Sequence, residues 1–184
     1  MALTASNMLP LGTPAPDFKL LDTTSSKVVS LDELKSETAT VVMFICNHCP
    51  YVKHLQKHLP SLAKEYQARG IAFIAISSND ATEYPEDAPE KMKQVAKQFG
   101  YPFPYLYDES QAVAKSYQAA CTPDFYIFDK ELLCIYRGQY DDSRPGNNTP
   151  ITGKDLKAAL DNILQGKSVD PHQTASMGCN IKWK

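Results

Sequence analysis

The sequence predicts a single α/β domain: a central mixed β-sheet flanked by helices, with an added N-terminal β-hairpin, an inserted helix and a C-terminal tail. Three observations support this. The runs Thr40-Val41-Val42-Met43-Phe44-Ile45 and Ile71-Ala72-Phe73-Ile74-Ala75-Ile76 are continuously apolar and β-branched, as strands buried on both faces of a parallel sheet are. Between them, Val52, Leu55, Leu59, Leu62, Ala63 and Tyr66 recur at helical spacing. Further on, residues 124–128 and 132–137 read as two strands split by Asp129-Lys130-Glu131, which suits an antiparallel hairpin.

The remaining elements fall into place around these. Residues 18–21 and 27–30 predict the N-terminal hairpin around a polar turn. The helix over 50–69 is closed by Gly70, and Pro60 inside it predicts a kink, because proline lacks the N–H that the helix needs. A strand–helix–strand unit with a right-handed crossover follows. Residues 89–99 and 109–117 read as helices with a short strand at 105–107 between them. Leu156, Ala159, Leu160, Ile163 and Leu164 mark a last amphipathic helix ended by Gly166. The expected organisation is a flexible stretch over 1–12, a domain over 13–166, and a tail over 167–184 docked on it by Trp183.

Composition narrows the class. A chain of 184 residues can bury its own core without staples. A net charge of −2 without a Lys/Arg cluster argues against nucleic acid as partner. Residues 1–13 lack the charged and apolar parts of a signal peptide, and no segment is long and apolar enough for a membrane span, so a cytoplasmic protein is expected. Five cysteines, at 46, 49, 121, 134 and 179, are not the dense even framework of a small secreted domain.

The element order is that of the thioredoxin fold. The strand 41–45 followed by Cys46-Asn47-His48-Cys49-Pro50-Tyr51-Val52-Lys53, with the later Cys121-Thr122-Pro123-Asp124-Phe125, resembles the peroxiredoxin-like, AhpC/TSA-related branch of the thioredoxin superfamily. Ser78-Asn79-Asp80, the stretch from Tyr136 through Gly146, and Gly178-Cys179-Asn180-Ile181-Lys182-Trp183 strengthen the likeness. It implies a redox-active cysteine serving cellular redox homeostasis.

Helix phase selects Cys49 as that cysteine. Proline is favoured at the first helical position, so Pro50 sits there and Cys49 falls at the N-cap, where helix N–H groups favour a thiolate. By the resemblance, Val52 replaces the usual resolving cysteine, His48 stands where a Trp is common and would assist as a cation, Pro123 is a cis-proline, and the backbone of Thr122 pairs with an extended substrate. Cys46, three residues before Cys49, is the first choice for a resolving thiol. Cys121 is the second, and a tail arm bearing Cys179 is a third route. Cys134 alternates within an apolar strand and reads as core.

The resulting expectation is a thiol-disulfide oxidoreductase acting on a protein or small-molecule disulfide with a thiol reductant, needing no cofactor and no metal. A thiol peroxidase is the runner-up enzyme. Its peroxiredoxin motif is incomplete, since Val42 and Cys46 stand at the Pro and Thr positions and Pro123 at the Arg position. Cys46, Cys49, His54 and His58 superficially suggest zinc, but the two histidines lie along a helix away from Cys46 and would not converge with it. A non-catalytic binding module using the loop 137–146 is the alternative of another class.

Overall fold

The computed structural model describes residues 3–184. Its main sheet has seven strands. In chain order these are β2 (Lys19–Asp22), β3 (Lys27–Ser30), β4 (Ala39–Phe44), β5 (Ile71–Ser77), β6 (Tyr105–Tyr107), β8 (Asp124–Asp129) and β9 (Cys134–Gly138), arranged β3-β2-β6-β5-β4-β8-β9. β4 runs parallel to β5 and antiparallel to β8, and β5 runs parallel to β6. The mixed sheet and its flanking helices are those of the thioredoxin fold. A second sheet joins β1 (Leu3–Ala5), β10 (Met177–Asn180) and β7 (Cys121–Thr122) in the order β1-β10-β7.

β4 shows why an unbroken apolar run was needed. Its side chains alternate between two cores: Val41 and Met43 face one with Leu62, Tyr66 and Leu160, while Val42 and Phe44 face the other with Ile74, Tyr117 and Tyr126. Because both faces are covered, every position of β4 is buried. α6 (Lys154–Leu164) contributes Leu156, Ala159 and Leu160 to the first core. The inserted helix is α4 (Pro89–Phe99), closed by Gly100 in the left-handed conformation at φ 64°.

Several expectations are corrected. The helix predicted over 50–69 is two helices, α2 (Pro50–Leu55) and α3 (Leu59–Gln67). Pro60 cannot donate to the carbonyl of Gln56, so the chain breaks there and restarts with Pro60 in the first turn. The helix expected over 109–117 shortens to α5 (Ala112–Ser116). Ser30 and Glu33 form a capping box that starts a short extra helix, α1 (Leu31–Leu34). The stretch expected to be a flexible N-terminus instead holds β1 and the buried Leu9. In the tail, Cys179, Ile181 and Lys182 are buried, and Trp183 is 42% exposed with the Lys115 ammonium 5.7 Å from its ring centroid.

Candidate functional site

β4 ends at Phe44, and the chain passes through Ile45-Cys46-Asn47-His48 before α2 begins at Pro50 with Cys49 as its N-cap. The helix-phase argument thus holds in space. The junction is pinned by Asp87, the last residue of a 3₁₀ turn over Pro85–Asp87. One carboxylate oxygen accepts from the backbone N–H of Asn47 at 2.7 Å and of His48 at 3.3 Å. The other meets His48 Nδ1 at 2.5 Å and accepts from Asn79 Nδ2 at 2.8 Å. Burial pushes the Asp87 carboxyl up, but the hydrogen bonds from His48 and Asn79 outweigh it and hold the group below the usual carboxylate range. Asp87 is the residue that sequence reasoning missed, and nothing in Tyr84-Pro85-Glu86-Asp87-Ala88 announces it.

Cys49 is fully buried. Its Sγ lies 2.7 Å from Cys179 Sγ and 3.3 Å from the carbonyl oxygen of Thr122. The hydrogen bond from Cys46 draws the Cys49 thiol down to about 5 against the opposing effect of burial, helped by Cys179, the N–H of Val52 and the side chain of Thr122. Cys46 is held well above its ordinary value by burial, by its bond to Cys49 and by the nearby Asp87 charge. The pair therefore has one stable arrangement, with Cys46 as S–H donor and Cys49 as acceptor thiolate. Cys46 Sγ also lies 3.5 Å from Thr122 Oγ1.

The other predicted residues are placed as follows. The Thr122–Pro123 peptide is cis. The backbone of Thr122 is paired, as the resemblance implied, but its partner is Cys179 of the same chain. The His48 ring is engaged by Asp87 and stacks on Tyr84 at 5.1 Å. Cys121 does not share the Cys46 side of β7. Successive strand residues face opposite ways, and its Sγ sits 3.9 Å from the Pro123 carbonyl and 4.0 Å from that of Ser176. Cys134 is buried in the second core, as expected. His58 Nδ1 is bound to Tyr140 Oη at 2.7 Å, away from the thiols.

Cys46, His48 and Asp87 offer three potential metal-ligand atoms within 4.8 Å of one another. At Asp87 both carboxylate oxygens are already engaged, one by the Asn47 and His48 N–H groups and the other by Asn79 and the His48 ring. The loop 137–146 is knitted internally and to its neighbours. Asp141 is buried and accepts from the N–H groups of Thr152 and Gly153 at 2.7 and 2.6 Å, and Arg137 Nε donates to the Leu9 carbonyl at 2.8 Å.

A buried cysteine at a strand–helix junction, beside a cis-proline on a thioredoxin-like sheet, defines the class: a protein of thioredoxin-like fold. Residues 11–136 match the family model of the AhpC/TSA family, and the chain belongs to that family. An uncharacterized conserved protein from Geobacillus kaustophilus is similar over 100% of this chain and 97% of its own, with 59% identity and a TM-score of 0.98. A hypothetical protein from Sinorhizobium meliloti 1021 is similar over 98% of each chain, with 48% identity and a TM-score of 0.95. The thioredoxin domain of a thiol-disulfide oxidoreductase from Bacteroides vulgatus shares the fold at 18% identity and a TM-score of 0.61, over 73% of this chain and 91% of its own. No curated protein matches the chain significantly. Among the described residues, no helix is long and apolar enough to cross a membrane.

Proposed function

We propose that this protein is a thiol-disulfide oxidoreductase in which Cys49 attacks a disulfide of a protein or small molecule, with an external thiol as reductant, in the cytoplasm. The observation that carries the reading is the place of the Cys49 sulfur, at the N-cap of α2 and 2.7 Å from Cys179 Sγ, with the Cys46 thiol drawing it down to about 5. A thiolate is the species that attacks a disulfide sulfur, and a thiol titrating near 5 is ionised at neutrality.

The peroxidase reading has less support from the same geometry. The position of the peroxiredoxin Thr is taken by Cys46, whose proton is directed at Cys49. Arg137 and Arg144 are spent on the Leu9 carbonyl and on Gln139 and the Asp141 carbonyl. Arg69, the remaining arginine, is paired with Asp161.

Cys49→Ser is expected to lower the rate of reaction with a small aliphatic disulfide at neutral pH by more than about 100-fold, as loss of a nucleophile does. Cys134→Ser is expected to leave that rate near wild type. Stopped-flow measurement of the thiol released decides it, and an unchanged rate in Cys49→Ser would contradict the assignment.

A further inference from the structure

The tail beyond α6 is built into the site. β10 lies between β1 and β7, so both edges of its backbone are paired, with Leu3 opposite Cys179 on one side and Thr122 opposite Cys179 on the other. Gly178 permits so close an approach. A Cβ at that position would meet the Thr122 carbonyl oxygen at 2.0 Å and the carbonyl carbon at 2.7 Å, both of them backbone atoms that cannot swing aside. The strand is held at each end, by the Ser176 hydroxyl on the Gly138 carbonyl at 2.6 Å and by the Lys182 N–H on Asn79 Oδ1 at 2.8 Å. In this seat Cys179 Sγ is 2.7 Å from Cys49 Sγ. The chain's own strand therefore occupies the β7 edge beside the attacking thiol and presents a cysteine to it.

We propose that Cys179 is the second redox thiol: it resolves the mixed disulfide on Cys49, and the oxidised protein carries a Cys49–Cys179 disulfide between the strand–helix junction and the C-terminal strand. The proposal rests on Cys49 being the attacking thiol. In the first step the Cys49 thiolate attacks R–S–S–R′, forms Cys49–S–S–R and expels R′–S⁻, which takes up a proton. In the second step Cys179 loses its proton to solvent, attacks the Cys49 sulfur and expels R–S⁻, which is protonated in turn. The substrate has then gained two electrons as a pair of thiols, and the protein has lost two as one disulfide. A small-molecule or protein dithiol from outside the chain returns it to the reduced state.

Cys46 also touches Cys49, and the two candidates differ in what opposes their ionisation. Burial, the bond to Cys49 and the Asp87 charge keep Cys46 protonated. Cys179 is pushed up to about 12 by burial and by its contact with Cys49, while Lys182 pulls it down. Forming the mixed disulfide relieves both thiols of the Cys49 anion, but it leaves the Asp87 charge beside Cys46 and the Lys182 charge near Cys179. Contact favours the same residue. β10, held by three residue pairs to β1 and two to β7, packs against α2, at whose N-cap Cys49 lies buried.

Dithionitrobenzoate, supplied below the protein concentration to reduced protein in native buffer, tests this. Wild type and Cys46→Ser are expected to release about two thionitrobenzoate anions per reagent molecule, and Cys179→Ser about one, keeping the other as an adduct on Cys49. An adduct retained by Cys46→Ser but released by Cys179→Ser would overturn the role of Cys179 and leave that of Cys49 intact. Failure of Cys49→Ser to slow the first release would overturn the underlying reading instead. Peptide mapping of oxidised wild type needs no variant. The expected product joins tryptic peptides 36–53 and 168–182 through Cys49, and an internal Cys46–Cys49 bond within 36–53 would refute the proposal.

Discussion

Reduced wild-type protein is expected to gain stability relative to Cys49→Ser as the pH rises from about 7 to 9. The folded state holds Cys49 at about 5, below the ordinary thiol value of 9.0. Between those values the unfolded chain binds the proton and the folded chain does not, so stability rises with pH. The contribution is fully present above the unfolded value and is lost as the pH falls through the folded one. At about 1.4 kcal/mol per unit it amounts to roughly 5 kcal/mol across the whole window and roughly half of that between pH 7 and 9. In the upper half, the buried Cys46, Cys121, Cys134 and Cys179 are all held up in the folded state, so they oppose the trend as the unfolded thiols ionise, and the Cys49 contribution is read as the difference between the two proteins. Burial raises Asp124 to about 7, which opposes the trend below that pH by favouring the folded state only while the carboxyl is protonated. Burial lowers His58 from 6.5, which adds to the trend in the same lower range. Urea midpoints taken with reductant present, in both proteins across this range, make the comparison. Parallel curves would show that Cys49 titrates alike in the folded and unfolded states.

Asp87→Ala is expected to destabilise the protein by roughly 3–5 kcal/mol, the cost of stranding buried donors that had a charged acceptor. The carboxylate is fully buried and accepts from two backbone N–H groups and the Asn79 amide, besides its contact with His48. Two of those donors belong to the turn between Cys46 and Cys49, so the loss falls on the geometry of the thiol pair as well as on the fold. Asp87→Asn retains an acceptor oxygen and is expected to cost less. Chemical denaturation checks both, and a loss below about 1 kcal/mol in Asp87→Ala would mean that the turn is held by other contacts.

The parts of this architecture legible in the sequence are those whose physics is local. The unbroken apolar runs of β4 and β5 follow from burial on two faces, and Pro50 set the helix phase that put Cys49 at the N-cap. The break between α2 and α3 was legible as a disturbance at Pro60, although its depth depended on how the two helices pack. The capping box at Ser30 and Glu33 was present in the sequence and passed unread. What escaped is non-local. Met177-Gly178-Cys179-Asn180 has neither alternation nor β-branching, and it is a strand only because β1 and β7 flank it. Cys179 meets Cys49 across 130 positions, and Asp87 meets His48 across 39. The closeness of Cys46 in sequence suggested it as the resolving thiol, and the fold also brings Cys179 to 2.7 Å from the Cys49 sulfur.

A Cys49 thiolate at neutral pH would show directly in the ultraviolet absorbance of the reduced protein, without requiring a reagent to reach a buried atom. The difference between wild type and Cys49→Ser, followed from acid to alkaline pH, is expected to show one ionisation centred near 5. An inflection at or above the free-thiol value of about 8.5 would contradict the account, because Cys49 would then be a buried thiol with no anion to offer.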